Sequence, residues 1–202
     1  MTDPATTPHE SYPDTHHDTY SKTVFGFWTY LVTDFILFAT LFATYLVLHR
    51  NTFGGPPIGE LVHLPFALTQ TLILLVSSFT SGLAGAFAHR KNKNGTILLF
   101  AITFLLGIAF MWMELTEFHR FLEGGNSWTN NASLSTFFTL VGTYGAHMFL
   151  ALLWTVALII PICRQGITTV SLRRLTCLRM FWQFLNIIWV FIFTIVYLMG
   201  GN

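Results

Sequence analysis

Charge is what this sequence has least of. Only 9% of its 202 residues are Asp, Glu, Lys or Arg, against about a quarter in soluble domains. A globule so composed could not cover itself with polar surface, which excludes a soluble fold and leaves an integral membrane protein. Ten basic and nine acidic residues nearly cancel, so the broad basic face of a nucleic-acid binder is missing and no such partner is expected. Cysteine is scarce: Cys163 and Cys177 lack the close spacing of a zinc or redox site and read as plain thiols. A short apolar stretch with basic residues ahead of it is also absent. The first basic residue is Lys22, and the run after it is too long for the core of a signal peptide, so it reads as a span that stays. Histidines are present but misplaced for redox chemistry. A haem or copper site in a membrane bundle needs several inward ligands on facing helices, and of eight histidines only His147 falls well inside an apolar run. No serine or cysteine sits in a nucleophile elbow either. The chain by itself is expected to carry no catalytic residue, no bound cofactor and no metal.

Long apolar runs are what the sequence does have: 53% of it is hydrophobic, with 21 Phe. Five runs, at about 25–48, 65–88, 96–118, 133–160 and 178–199, each approach the ~20 residues that cross a bilayer as a helix. They are continuous rather than alternating, which argues against a strand barrel. The expected fold is all-α, a polytopic bundle of five transmembrane helices over 25–202. Ahead of it, 1–24 read as a disordered polar tail in which His9, His16 and His17 are solvated. Pro65 suits the first turn of its helix and Pro161 a stop. Eight basic residues (Lys22, Arg90, Lys91, Lys93, Arg164, Arg173, Arg174 and Arg179) fall on one side of these spans, and only Arg50 and Arg120 on the other. That bias places the N-terminus in the cytoplasm and the C-terminus in the periplasm. Small residues recur every fourth position at Ser78, Gly82 and Ala86, at Ser81 and Gly85, and at Gly142 and Ala146, as where helices pack closely in lipid.

Few residues in the spans can carry chemistry. Asp34, in "TYLVTDFILFATLF", lies ~13 Å into the first helix at 1.5 Å per residue, where an ionised acid is costly unless paired, hydrated or protonated. Glu114 and Glu117 share a helix face at i, i+3 near the outer end of the third span, where headgroup solvation is the simpler expectation; Trp112 and Trp128 there read as belt residues. His147 lies near the midplane of the fourth span, where a hydrogen bond is the simpler role. In the fifth, Trp182, Gln183, Asn186 and Trp189 form a polar-aromatic stripe suited to hydrogen bonds with a neighbouring helix.

Four segments, "FGFWTYLVTDFILFATLFATYLVL", "MELTEFHRF", "STFFTLVGTYGAHMFLALLW" and "MFWQFLNIIWVFIFTIVYLMG", together resemble subunit III of the haem–copper terminal oxidases, in the shortened five-helix form of the cytochrome o (bo-type) ubiquinol oxidases. The likeness runs from about Phe25 to Gly200. Asp34 fills the place of the family's acid in helix one, and Glu114 and Glu117 fill its paired glutamates. Three positions depart from it: Tyr144 stands where the family has the first histidine of His-Gly-x-His, Gln183 for a histidine, and Asn186 for an aspartate. Losing a cation and an anion together leaves neither unpaired in low dielectric, which suggests a structural site at Gln183 and Asn186.

The resemblance implies a non-catalytic subunit of a proton-pumping ubiquinol:oxygen oxidoreductase in a bacterial inner membrane. Its partners would be subunits I, II and IV, with haem and copper in subunit I and phospholipid bound between its own helices. Asp34 would then act in proton uptake or at the subunit interface, while Glu114, Glu117, His147, Gln183 and Asn186 would be buried polar or lipid-cleft groups. The alternatives are subunit III of a cytochrome c oxidase, an accessory subunit of nitric oxide reductase, and, from a different class, a small transporter. The last would favour an internal repeat, and none is visible.

Overall fold

The structure, a computed structural model, describes residues 15–52, 63–125, 129 and 131–198. Nearly all of them lie in five helices: α1 (Thr15–Leu48), α2 (Leu64–His89), α3 (Lys93–Glu123), α4 (Ala132–Gln165) and α5 (Thr169–Ile192). The fifth runs on into a short π-helical turn, Phe193–Leu198. Each helix is long and apolar enough to cross a bilayer, and no strand occurs among the described residues. The all-α bundle of five membrane helices expected from the apolar runs is therefore present.

Local chemistry sets most helix ends. Pro65 sits in the first turn of α2, where its missing N–H costs nothing. Asn92, Asn131 and Thr168 cap α3, α4 and α5: their side-chain oxygens accept from the backbone N–H groups of Gly95 (3.2 Å), Leu134 (2.7 Å) and Ser171 (3.1 Å).

Three boundaries differ most from expectation. Helix α5 begins at Thr169, on the Thr168 cap, nine residues ahead of the expected start at 178. Helix α4 passes through Pro161 and continues to Gln165. The stop is Gly166, at φ 81°, whose N–H bonds back to Ile162 O at 3.0 Å. The third correction concerns the tail: residues 15–24 are helical, so α1 begins ten residues before the apolar run. Extending an existing helix costs far less than starting one, and the Tyr20 hydroxyl reaches Thr176 Oγ1 on α5 at 3.4 Å. Residues 1–14 and Trp128 lie outside the described residues, as do the side chains of His16 and His17.

Helix α5 is the central element. Trp182, Leu185, Ile188, Trp189 and Ile192 are all buried, and one face is bonded to antiparallel α2 in a regular series. Trp182 Nε1 donates to Ser77 Oγ (2.8 Å), Asn186 Nδ2 to Leu74 O (2.8 Å) and Trp189 Nε1 to Thr71 Oγ1 (3.1 Å). Each step of three or four residues along α5 meets the matching step back along α2. Gln183 joins the series, donating to Ser78 O (3.3 Å) and accepting from Ser78 Oγ (2.7 Å). Helices α2 and α3 pair closely, with Thr80 and Thr103 hydroxyls 2.8 Å apart.

The small residues divide into two kinds. At Gly85 the guanidinium of Arg179 occupies the space of a side chain. At Gly107, which the four-residue spacing did not single out, an added Cβ would stand 2.9 Å from both Leu152 and Trp182. Gly82 and Gly142 face open space within this chain.

Cross-helix bonds also fix which ends share a side. Tyr20 meets Thr176, and Lys93 Nζ donates to the Cys163 carbonyl at 2.9 Å. The start of α1, the α2–α3 turn and the α4–α5 turn therefore lie together, and with them the eight basic residues. At the opposite end Ser133 Oγ donates to His49 O at 2.7 Å.

Candidate functional site

Asp34 and His147 meet between α1 and α4. Each is alone on its helix as an ionisable group at that depth, and the packing of α1 across α4 turns both inward. His147 Nε2 lies 3.6 Å from Asp34 Oδ2, with side-chain exposures of 15% and 11%. That is ion-pair distance and too long for a direct hydrogen bond; Asp34 Oδ2 has no other partner. The other ring nitrogen, Nδ1, is 2.8 Å from the Thr143 carbonyl. A carbonyl only accepts, so Nδ1 carries a hydrogen there. In the neutral ring Nε2 then presents a lone pair to a carboxyl oxygen, and the approach is attractive only when a proton resides on one of the two. Phe38 and Phe181 flank the imidazole at ring distances of 5.2 and 6.4 Å, and Tyr30 lies one turn earlier on α1. Sequence reasoning singled out both residues but not their pairing; equal depth on two helices was the available signal.

The glutamates are not where headgroup solvation would put them. Glu114 and Glu117 are each 2% exposed, and the correction has a geometric cause: their shared face of α3 turns toward α4 and the end of α5 instead of lipid. Gly145 on α4 leaves room beside the Glu114 carboxyl, while the Tyr197 hydroxyl donates to Glu117 Oε2 at 2.9 Å. Trp112 on the same helix is 70% exposed, facing outward. Gln183 and Asn186 serve the α2–α5 series described above.

An apolar groove of about 510 Å³ runs between α1 and α5, lined by Trp28, Leu31, Phe35, Phe184 and Ile187, with Arg179 at its basic end. As for redox groups, one nitrogen of His147 is committed to Thr143 and the other faces Asp34. Among the described residues no three His, Cys, Asp or Glu side chains converge on a metal position. The described side chains thus bring together no set of donors of the kind a haem or copper centre uses.

Comparison with known proteins gives the family. The cytochrome c oxidase subunit III family model matches residues 8–201. A cytochrome bo(3) ubiquinol oxidase subunit 3 of Pseudomonas aeruginosa is 49% identical over 188 residues, spanning 93% of this chain and 90% of that protein. Its namesake in Pseudomonas putida is 44% identical, over 91% and 89% of the two chains. A Bacillus protein named cytochrome c oxidase subunit 3 is 42% identical, over 87% and 84%. With five membrane helices and a match over nearly its whole length, the chain belongs to the cytochrome c oxidase subunit III family.

Proposed function

We propose that this chain is the accessory subunit III of a ubiquinol oxidase, a complex that passes electrons from ubiquinol to oxygen and pumps protons across a bacterial inner membrane. The single observation that carries the reading is near-end-to-end similarity, at 49% and 44% identity, to two proteins named as subunit 3 of that oxidase. The chemistry of the chain is consistent with it: one histidine deep within the spans and, among the described residues, no convergent metal ligands, which suits a supporting role beside a subunit I that holds haem and copper. Subunits II and IV complete the assembly, and the basic end of the bundle faces the cytoplasm.

In this reading the Asp34–His147 pair holds a proton in the cytoplasmic half of the membrane, where it supports uptake into subunit I or braces the interface with it. The α1–α5 groove suits phospholipid, with its aromatic walls placed for acyl chains.

The experiment is to tag the chain, purify it in mild detergent and record the visible spectrum of what accompanies it. Haem in the eluate together with ubiquinol-dependent oxygen uptake is the expected result; the chain emerging alone, or with a complex that does not consume oxygen, would remove the assignment. The 42% identical Bacillus relative named for cytochrome c favours a second reading with a different electron donor. Oxygen uptake with reduced cytochrome c but not with ubiquinol would select it.

A further inference from the structure

A second polar cluster lies deeper toward the other end of the bundle and takes no part in the reading above. Tyr45 of α1, Glu114 and Glu117 of α3, Tyr144 of α4 and Tyr197 of the π turn come from four elements, and none is more than 5% exposed. The hydrogen bond from Tyr197 to Glu117 Oε2 uses one acceptor. The Tyr45 and Tyr144 hydroxyls, both Glu114 oxygens and Glu117 Oε1 have no partner. These groups feel one another: Glu114 lies within electrostatic reach of Glu117, Tyr144 of Glu114, and Tyr197 of both acids and of Tyr45.

Aromatic rings pack around the cluster. Trp189 sits 5.1 Å from the Tyr144 ring, 6.1 Å from Tyr197 and 4.7 Å from Phe110. The nearest cation, Arg120, is one turn beyond Glu117, exposed, with its guanidinium 5.9 Å over the Phe66 ring. It makes no ion pair with either acid. From α1 the cluster is faced by Tyr45, with His49 stacked on that ring at 5.8 Å.

Buried polar atoms are almost always met by protein, water or an ion, and five unpartnered ones in one region are too many to leave dry. Two carboxyl groups sharing that region, with only the exposed Arg120 acting on Glu117 from the cluster's edge, cannot both stay ionised, so a proton must be held among them. Phenolic hydroxyls both donate and accept, which suits water better than a metal ion; alkali and alkaline-earth ions favour rings of carboxylate and carbonyl oxygens. We propose that Tyr45, Glu114, Glu117, Tyr144 and Tyr197 enclose a binding site for a small water cluster carrying one excess proton, separate from the Asp34–His147 pair.

The test uses the intact purified complex. Synchrotron radiolysis hydroxylates side chains that touch bound water even when buried, and peptide mass spectrometry locates the product. Tyr45 and Tyr144 are expected to be hydroxylated, whereas Phe100, buried in a separate apolar cluster with Leu158, Ile162 and Leu178, stays unmodified. A shared proton in water gives a broad infrared band that moves in heavy water. That band is expected in the wild-type complex whether the buffer holds sodium or potassium, and to be lost in Glu114→Gln. Tyr144→Phe removes only the hydroxyl and keeps the ring packing, so it should weaken the band even if Glu114→Gln fails to assemble. Tyrosines as silent as Phe100 would overturn the water site. A missing band would overturn the proton, and an alkali ion retained in stoichiometric amount would show a metal-cation site in its place.

Discussion

Asp34 is buried in a helix otherwise dressed for lipid, and the residue that answers it is one turn beyond a helix carbonyl already claimed by its other nitrogen. The hydrogen on His147 Nδ1 is fixed by Thr143 O, which leaves Nε2 facing Asp34 Oδ2 at 3.6 Å. Removing one partner leaves the other buried without compensation, and this costs about 1–3 kcal/mol. His147→Ala and Asp34→Ala should therefore each lower the thermal stability of the detergent-solubilised complex, while the double variant should lose clearly less than the sum. Additive losses in a calorimetric scan would mean that the two side chains do not interact. Asp34→Asn keeps the shape and removes the proton-binding oxygen. It is expected to leave assembly intact and to lower the number of protons pumped per electron as turnovers accumulate; unchanged pumping would confine Asp34 to packing.

At the scale of a helix, the α2–α5 series explains why neutral amides stand at two positions where the resembled family has a histidine and an aspartate. Asn186 donates to the Leu74 carbonyl and Gln183 both donates to and accepts from Ser78. A carboxylate at 186 could not donate to a carbonyl, and it would stand ionised with no cation facing it. Asn186→Asp alone should reduce the amount of assembled complex recovered from membranes, and Gln183→His with Asn186→Asp should restore much of it by pairing the charges one turn apart. Equal recovery from the single and double variants would show that the two sites act independently.

This series was legible in the sequence because it repeats at helical spacing, Trp182, Asn186 and Trp189, and because amides on an apolar helix have few other uses. The five spans were legible for the same reason, as their length and composition are set by the bilayer. Features that depend on which way a helix is rotated were not. Glu114 and Glu117 sit near a span end and could face headgroups or the interior; only packing against Gly145 and Tyr197 decides for the interior. The extension of α1 back to Thr15 and the passage of α4 through Pro161 rest on tertiary contacts and on Gly166, and override the composition shift and the proline. The Asp34–His147 pairing likewise needed the crossing of two helices far apart in sequence.

For the molecule as a whole, the distribution of charge is the feature that orients it. Eight of the ten Lys and Arg residues collect at the end where α1 starts and the α2–α3 and α4–α5 turns lie, and basic loops are retained on the cytoplasmic side during insertion. The chain supplies its own reporter there. Cys163 is exposed in the last turn of α4, whereas Cys177 is buried in α5. A maleimide that does not cross membranes should label Cys163 in inside-out vesicles and leave it untouched in right-side-out ones, and Cys163→Ser should abolish the signal.

A neighbouring subunit covering Cys163 would silence this reporter from both sides, so a second position serves the same end. Arg90→Cys in the Cys163→Ser chain places an exposed thiol in the α2–α3 turn and should follow the same pattern. Arg120→Cys, exposed at the far end of α3, should show the reverse. Labelling of position 90 from the periplasmic face, or of 90 and 120 from the same face, would invert or break the five-span topology. Inversion would carry the Asp34–His147 pair out of the cytoplasmic half of the membrane, and with it the place of that pair in proton uptake.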